Sequence, residues 1–224
     1  MQYPLNEIFQ TLQGEGYFTG VPAIFIRLQG CPVGCSWCDT KYTWKRNENN
    51  QVTLKEILSK TDSSNCWASL TVEEIIMLIA KKNWTARHIV ITGGEPCLYN
   101  LIPLTCSLEN QGFSCQIETS GTKEIYCTQK TWVTVSPKIN MCKKLSISNQ
   151  ALNRSDEIKH PVARKCDIEK LDILLSTLKN DIKKRIISLQ PISQKKRATC
   201  LCIETCIARN WRFSMQTHKY LNIA

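Results

Sequence analysis

A chain of 224 residues with 42% hydrophobic content is long enough to bury one continuous core, so a second domain is not required. Its 13 cysteines are an odd number and cannot all pair internally, and the first ten residues, MQYPLNEIFQ, lack the basic and then apolar run of a signal peptide. No apolar stretch approaches the ~20 residues that cross a bilayer, and the net charge of +10 lies wholly beyond residue 142. A soluble cytoplasmic protein is therefore expected, whose thiols are core residues, metal ligands or nucleophiles rather than disulfides. The basic runs Lys143-Lys144, Lys183-Lys184-Arg185 and Lys195-Lys196-Arg197 have no interleaved aromatic residues. They read as solvated charge, and nucleic-acid binding is not expected.

In chain order, AIFIRL (23–28), HIVIT (88–92), SCQIE (114–118), TWVTV (131–135), RIISL (185–189) and RFSMQ (212–216) read as strands, several nearly continuous in apolar character. Helical spacing predicts TVEEIIMLIAKKN (71–83), opened by a capping box of Thr71 and Glu74, then helices over 101–112, 168–180 and 198–210. Residues 41–70 break this rhythm and read as a polar insertion over the sheet end, with a short helix at 53–60. The alternation predicts an α/β chain, compatible with a barrel or an incomplete barrel.

The stretch QGCPVGCSWCDT (29–40) places Cys31, Cys35 and Cys38 just after the first of these strands, in a loop that Gly30, Pro32 and Gly34 allow to curl. A closed zinc site wants four ligands, and no second Cys-x2-Cys pair follows. Three thiolates on a cubane iron–sulfur cluster leave one iron open to a bidentate small molecule. Downstream, ITGGEP (91–96) ends a predicted strand with two glycines that permit close backbone approach. Cys200, Cys202 and Cys206 lie on a predicted helix, with Cys202 and Cys206 on one face, and read as core packing, as do Cys97 and Cys115.

The cysteine spacing and the double glycine resemble the radical S-adenosylmethionine (SAM) superfamily. The segments FQTLQGEGYFTGVPAIFIRLQGC (9–31), CDT (38–40), ITGGEP (91–96), QIETSGT (116–122), VSPK (135–138), LQPIS (189–193) and QTHK (216–219) narrow the resemblance to its 7-carboxy-7-deazaguanine synthase family, in the enterobacterial form. That resemblance implies one domain over 1–224, an incomplete, modified TIM-type barrel of about six parallel strands, and residues 41–70 as an insertion after the cluster loop. It implies a radical ring contraction of 6-carboxy-5,6,7,8-tetrahydropterin to 7-carboxy-7-deazaguanine with loss of ammonia, on the way to queuosine. SAM is regenerated, and a magnesium ion, an external flavodoxin-like electron donor and a homodimer are expected.

Carried over position by position, Cys31, Cys35 and Cys38 hold the [4Fe-4S] cluster and Thr40 the magnesium. Trp37, Cys38, Asp39, Gly94, Ser136, Pro137, Lys138, Gln190, Pro191, Ile192 and Ser193 match SAM-binding segments, and Leu12, Gln13, Gly14, Arg27 and Thr92 match pterin contacts. Glu15, His218 and the terminal Ala224 are weaker substrate positions. On the residues alone, Thr40 also suits an N-cap or turn hydroxyl, Arg27 a strand-end charge, Glu15 a solvated turn and His218 an ordinary residue after a strand. A glycyl-radical activase shares the cysteine spacing without explaining LQGEG, CDT and QTHK together, and a basic RNA-binding protein with a structural metal would rest on the charge of the second half alone.

Overall fold

The computed structural model describes residues 1–61, 63–139, 145–178 and 183–223. Its strands are β1 (Gln2–Leu12), β2 (Pro22–Leu28), β3 (Ala68–Thr71), β4 (His88–Gly93), β5 (Ser114–Thr119), β6 (Trp132–Val135), β7 (Glu157–Val162), β8 (Ile186–Pro191) and β9 (Arg212–Phe213). They form one sheet in the order β3-β1-β2-β4-β5-β6-β7-β8-β9. From β2 to β9 every neighbour is parallel, while β1 runs antiparallel to both β2 and β3. The helices are α1 (Leu54–Leu58), α2 (Val72–Lys81), α3 (Ile102–Asn110), α4 (Asn149–Arg154), α5 (Lys165–Ser176), α6 (Lys196–Arg209) and α7 (Thr217–Leu221). Among the described residues none is long and apolar enough to cross a membrane.

Strand periodicity sorts the sheet into two unlike faces. Ile89, Ile91, Ile117, Val133, Val135, Ile158 and Leu189 are wholly buried in one apolar core, against α3, α4, α5 and α6. Alternate positions carry Gln116, Glu118, Thr134, Glu157, Lys159 and Ser188, whose side chains bond to one another across strands. The loop between β1 and β2 covers this polar face: Thr217 N–H donates to Gly14 O at 2.9 Å, Gly16 N–H to Ser214 Oγ at 2.9 Å, and Tyr17 stacks on Trp132 at 4.6 Å. Among the described residues the sheet stays open, with β3 and β9 as its edges, so this loop rather than strand pairing reaches from β1 to the residues after β9.

The six predicted parallel strands are present, and β7 makes a seventh. Its sequence EIKHPV hides it, because Glu157 and Lys159 serve the polar face and proline is unexpected inside a sheet. Pro161 is tolerated because the pairing of β6 with β7 ends at Val135 opposite Ile158, so at residue 161 only β8 needs a partner. The predicted strand 212–216 shortens to Arg212–Phe213, since Ser214 and Gln216 turn toward the loop of residues 14–16. Within the 41–70 tract, Tyr42, Thr43, Trp44 and Lys45 bond to Gln29, Gly30 and Cys31 at the end of β2, whereas Ala68–Leu70 lengthen the sheet as part of β3.

The Thr71 and Glu74 capping box is formed, with Glu74 N–H donating to Thr71 Oγ1 and Thr71 N–H to Glu74 Oε2. Cys202 and Cys206 pack in the core and Cys200 is exposed; Cys97 and Cys115 are buried. Lys143 and Lys144 lie outside the described residues.

Candidate active site

The cysteine loop is held from two sides. Thr43 O and Trp44 O accept from Gly30 N–H (2.7 Å) and Cys31 N–H (2.8 Å), and Gln29, wholly buried, donates to Tyr42 O and Lys45 O while accepting from Asn6 Nδ2. On the other side Gly94 N–H donates to Leu28 O at 2.9 Å and Glu95 N–H to Gly30 O at 2.7 Å. A Cβ at Gly94 would stand 2.1 Å from Gly30 O, and one at Gly93, where φ is 134°, would stand 2.2 Å from Leu28 O. The double glycine is thus the condition for the end of β4 to lie against the cysteine loop. Buried Glu95 then ties β4 to β5, accepting from Cys97 N–H, Thr119 Oγ1, Ser120 N–H and Ser120 Oγ.

A cavity of about 390 Å³ opens between the cysteine loop and the strand ends. Cys31, Cys35 and Cys38 share its wall with Trp37, Asp39, Thr40 and Gly94. Leu12, Gln13, Gly14, Glu15, Arg27, Thr92 and His218 line it from the other side, and Ser136, Lys138 and Gln190 complete the ring. Pro137, Pro191, Ile192 and Ser193 are not on this wall; Ile192 and Ser193 belong to a 3-10 turn after β8, and Ala224 lies outside the described residues.

Among the described residues no three His, Cys, Asp or Glu side chains are placed to hold a single ion. Burial pushes the Cys31 and Cys35 thiols up, so holding them as thiolates requires a positive partner. The irons of a cluster supply that charge, Lys138 adds to it at Cys35, and Trp44 Nε1 stands 3.4 Å from Cys38 Sγ. The three thiols therefore fit a cluster with an open iron.

Arg27 faces this cavity with its Nε on Glu7 Oε1 at 2.7 Å, a carboxylate that also accepts from Tyr42 Oη. Its terminal nitrogens make no hydrogen bond among the described residues, which leaves a guanidinium edge for a ligand anion. Phe9 and Phe25, stacked at 5.4 Å, line the same wall. Each stands two positions along the pleat from one member of the ion pair, Phe25 from Arg27 and Phe9 from Glu7, a period that the sequence contained.

The floor holds a cation between two carboxylates. Lys159, 4% exposed, is 2.8 Å from Glu15 Oε2 and 2.9 Å from Glu118 Oε2. Burial opposes the Lys159 charge, but Glu118 and Glu15 overcome it and raise its pKa. Burial also opposes the Glu15 charge, yet Lys159 and the Gln216 amide at 2.8 Å lower that carboxyl to about 2. Glu118 is pushed up to about 7, chiefly by burial and further by Glu15 and Glu157. None of Lys159, Glu118, Gln216 or Trp44 was singled out as a site residue from the sequence; Glu118 shares the inward parity of Gln116 within QIETSGT, whereas Lys159 lies on the strand that was not read.

Because Glu118 titrates near 7 in the fold and at about 4.5 when unfolded, the folded chain carries an extra proton between those values, and this contribution to stability falls as pH rises through them. Glu118→Gln should flatten the curve of urea-unfolding free energy against pH between 4.5 and 7. An unaltered slope would remove this reading of the carboxyl.

Residues 25–191 match the Radical SAM superfamily. A protein named 7-carboxy-7-deazaguanine synthase from Escherichia coli (strain K12) is 66% identical over 224 residues, covering 100% of both chains. One of the same name from Buchnera aphidicola subsp. Schizaphis graminum is 56% identical over 223 residues, again covering 100% of each. The crystal structure of QueE from Escherichia coli superposes with a TM-score of 0.93 at 65% identity, covering 96% of this chain and 94% of that one. A cysteine loop pressed against a double-glycine strand end, in a chain that the two sequence relatives match over its whole length, identifies it as a member of the radical SAM superfamily and, within it, of the 7-carboxy-7-deazaguanine synthase family.

Proposed function

We propose that the chain converts 6-carboxy-5,6,7,8-tetrahydropterin to 7-carboxy-7-deazaguanine and ammonia, a step toward the deazapurine of queuosine. The observation that carries this is one 390 Å³ cavity that joins three cysteines, a double-glycine strand end and an arginine with an open guanidinium edge, in a chain 66% identical to a relative of that name. When bound, the [4Fe-4S] cluster and SAM would supply reversible one-electron hydrogen-transfer chemistry at the pterin. The chain's own residues hold and orient the reactants.

Cys31, Cys35 and Cys38 would hold the cluster, and three thiolates would leave it a site for SAM. Gly94 lies against this loop and lines the cavity, where it would offer a bound SAM main chain rather than a side chain. Trp37, Asp39, Ser136, Pro137, Lys138 and the Gln190–Ser193 segment are the remaining SAM positions, and of these Trp37, Asp39, Ser136, Lys138 and Gln190 line the cavity. Arg27 offers its fork to the pterin carboxylate, and Glu7 fixes its orientation through Nε. Leu12, Gln13, Gly14 and Thr92 are the remaining pterin positions; the Gln13 amide is held in place, donating to Gln116 Oε1 at 3.2 Å and accepting from Glu15 N–H at 3.1 Å, and would meet the ring with its remaining donor and acceptor capacity.

The weaker positions divide. Glu15 is engaged by Lys159 and Gln216, so its part is to set the floor rather than to meet substrate directly. Burial lowers the pKa of His218 and so favours its neutral imidazole, which donates one hydrogen bond and accepts one.

Thr40 is the proposed magnesium ligand, a hard cation that takes one or two protein oxygens and the rest from substrate and water. Thr40→Ala should weaken the dependence of rate on magnesium several-fold while leaving cluster content unchanged; an identical magnesium titration would dismiss the role. A flavodoxin-like reductant, a homodimer, a cytoplasmic setting and one catalytic domain over 1–224 complete the proposal. The direct test is an anaerobic assay of reconstituted protein with reductant, SAM, magnesium and the pterin, read by mass spectrometry. Product in excess over SAM is expected, and 5′-deoxyadenosine without product would overturn the substrate.

A further inference from the structure

We infer that Trp44 is a positioning residue for the cluster: its indole N–H, 3.4 Å from Cys38 Sγ, holds that sulfur in ligating position and favours the reduced cluster. The inference rests on the reading of Cys31, Cys35 and Cys38 as cluster ligands, and it concerns a residue outside the cysteine motif.

Trp44 follows the 3-10 turn Lys41–Thr43, which Thr43 closes by donating from Oγ1 to Thr40 O at 2.7 Å. From there it grips the cysteine loop twice. Its carbonyl accepts from Cys31 N–H at 2.8 Å, and its ring reaches Cys38. One residue thus bonds the first and the third cysteine of the motif and fixes the span between them.

An indole nitrogen can only donate, so Cys38 sulfur is the acceptor. A thiolate accepts more strongly than a thiol, because the bond is then charge-assisted. Adding an electron to a cluster increases the negative charge shared by its sulfurs, so a fixed donor stabilises the reduced form more than the oxidised one and raises the potential. Trp44 is partly buried in the cavity wall, where the lower dielectric strengthens the effect. The other ligands have different surroundings: backbone groups of Val33 and Gly34 serve Cys31, and a backbone group of its own residue serves Cys35. At Cys38 the donors are side chains, Trp44 and, more distantly at 3.7 Å, the Thr40 hydroxyl, which can take either role. Cys38 is therefore the ligand whose hydrogen bonding can be changed by substitution without touching the backbone.

The test is an anaerobic redox titration of the reconstituted cluster by electron paramagnetic resonance, without SAM or pterin, so its result is independent of whether the proposed reaction occurs. Trp44→Phe removes the donor and keeps an aromatic ring. At fixed solution potential its reduced-to-oxidised ratio is expected to fall roughly tenfold, equivalent to ~59 mV for one electron, with iron per chain unchanged. A full iron complement at the wild-type potential would overturn the inference. Should Trp44→Phe lose iron, the benzothienyl isostere of tryptophan at the same position, which keeps the bicyclic shape and lacks only the N–H, decides the matter. A lowered potential, or iron loss with the fold intact, supports the bond; full iron at an unchanged potential refutes it.

Discussion

Cys35→Ala protein is expected to fold, to hold almost no iron and to form no product. The loop does not depend on the Cys35 side chain for its shape, because Gly30, Cys31 and Glu95 make its backbone bonds to Thr43, Trp44 and the loop itself. The residue is 9% exposed, and exchanging Sγ for hydrogen removes one small buried atom, which places the stability loss at about 1 kcal/mol. Ligation is a different matter. Two thiolates leave two irons of a cubane without protein ligands, and the burial that raises Cys31 then has less positive charge to offset it. Iron content, the urea midpoint and anaerobic turnover measured on one preparation separate these effects. Undiminished turnover would remove the cluster assignment, whereas a collapsed urea midpoint would show that Cys35 is structural.

Lys159→Met should cost about 3–5 kcal/mol at pH 7.5, because it removes one partner and leaves buried charge without compensation. Among the described residues Lys159 is the cation that bonds to both Glu15 and Glu118, and its own side chain is 4% exposed. Against a total stability of ~5–15 kcal/mol such a loss brings the fold near its limit. The sign with pH follows from the same geometry. Without the lysine both carboxyls have folded pKa values above the unfolded ones, so the folded state gains by taking up protons, and the deficit should shrink as pH falls toward 5. Combining the substitution with Glu118→Gln should recover part of the loss, since one of the two carboxyls that must be buried charged or take up a proton at pH 7.5 is then gone. A deficit below about 1 kcal/mol at pH 7.5 would mean that water reaches the floor and screens the carboxylates.

What could be read in the sequence was set by which face of the sheet a residue serves. The apolar runs of β2, β4, β5 and β8 are legible because their alternate residues fill a dry core against helices. The capping box at Thr71, the three cysteines and the double glycine are legible because each is a local pattern with a local cause. The strand β7 is not, because Glu157 and Lys159 look like surface residues until their partners arrive: Thr134 and Ser188 from neighbouring strands, Glu15 from the loop after β1. The same holds for β1, whose Pro4, Asn6 and Glu7 interrupt its apolar positions; Asn6 is satisfied by Gln29 and by the carbonyls of Ser64 and Cys66. Arg27 could be named from its place on an apolar strand, but the carboxylate that orients it lies on another strand. Polar residues buried by distant partners carry no periodic signature, and the floor of this site is made of them.

The loop that spans the open sheet has a consequence for the order of events during synthesis. Gly14 meets Thr217, Gly16 meets Ser214, and Asp39 meets Lys219, contacts between residues 180 or more positions apart. A nascent chain whose last turn has not yet emerged already carries its three cysteines but lacks Ser214, Thr217 and Lys219. The contacts that tie the loop after β1 and Asp39 to the far end of the chain therefore form last, after every strand of the sheet has been made.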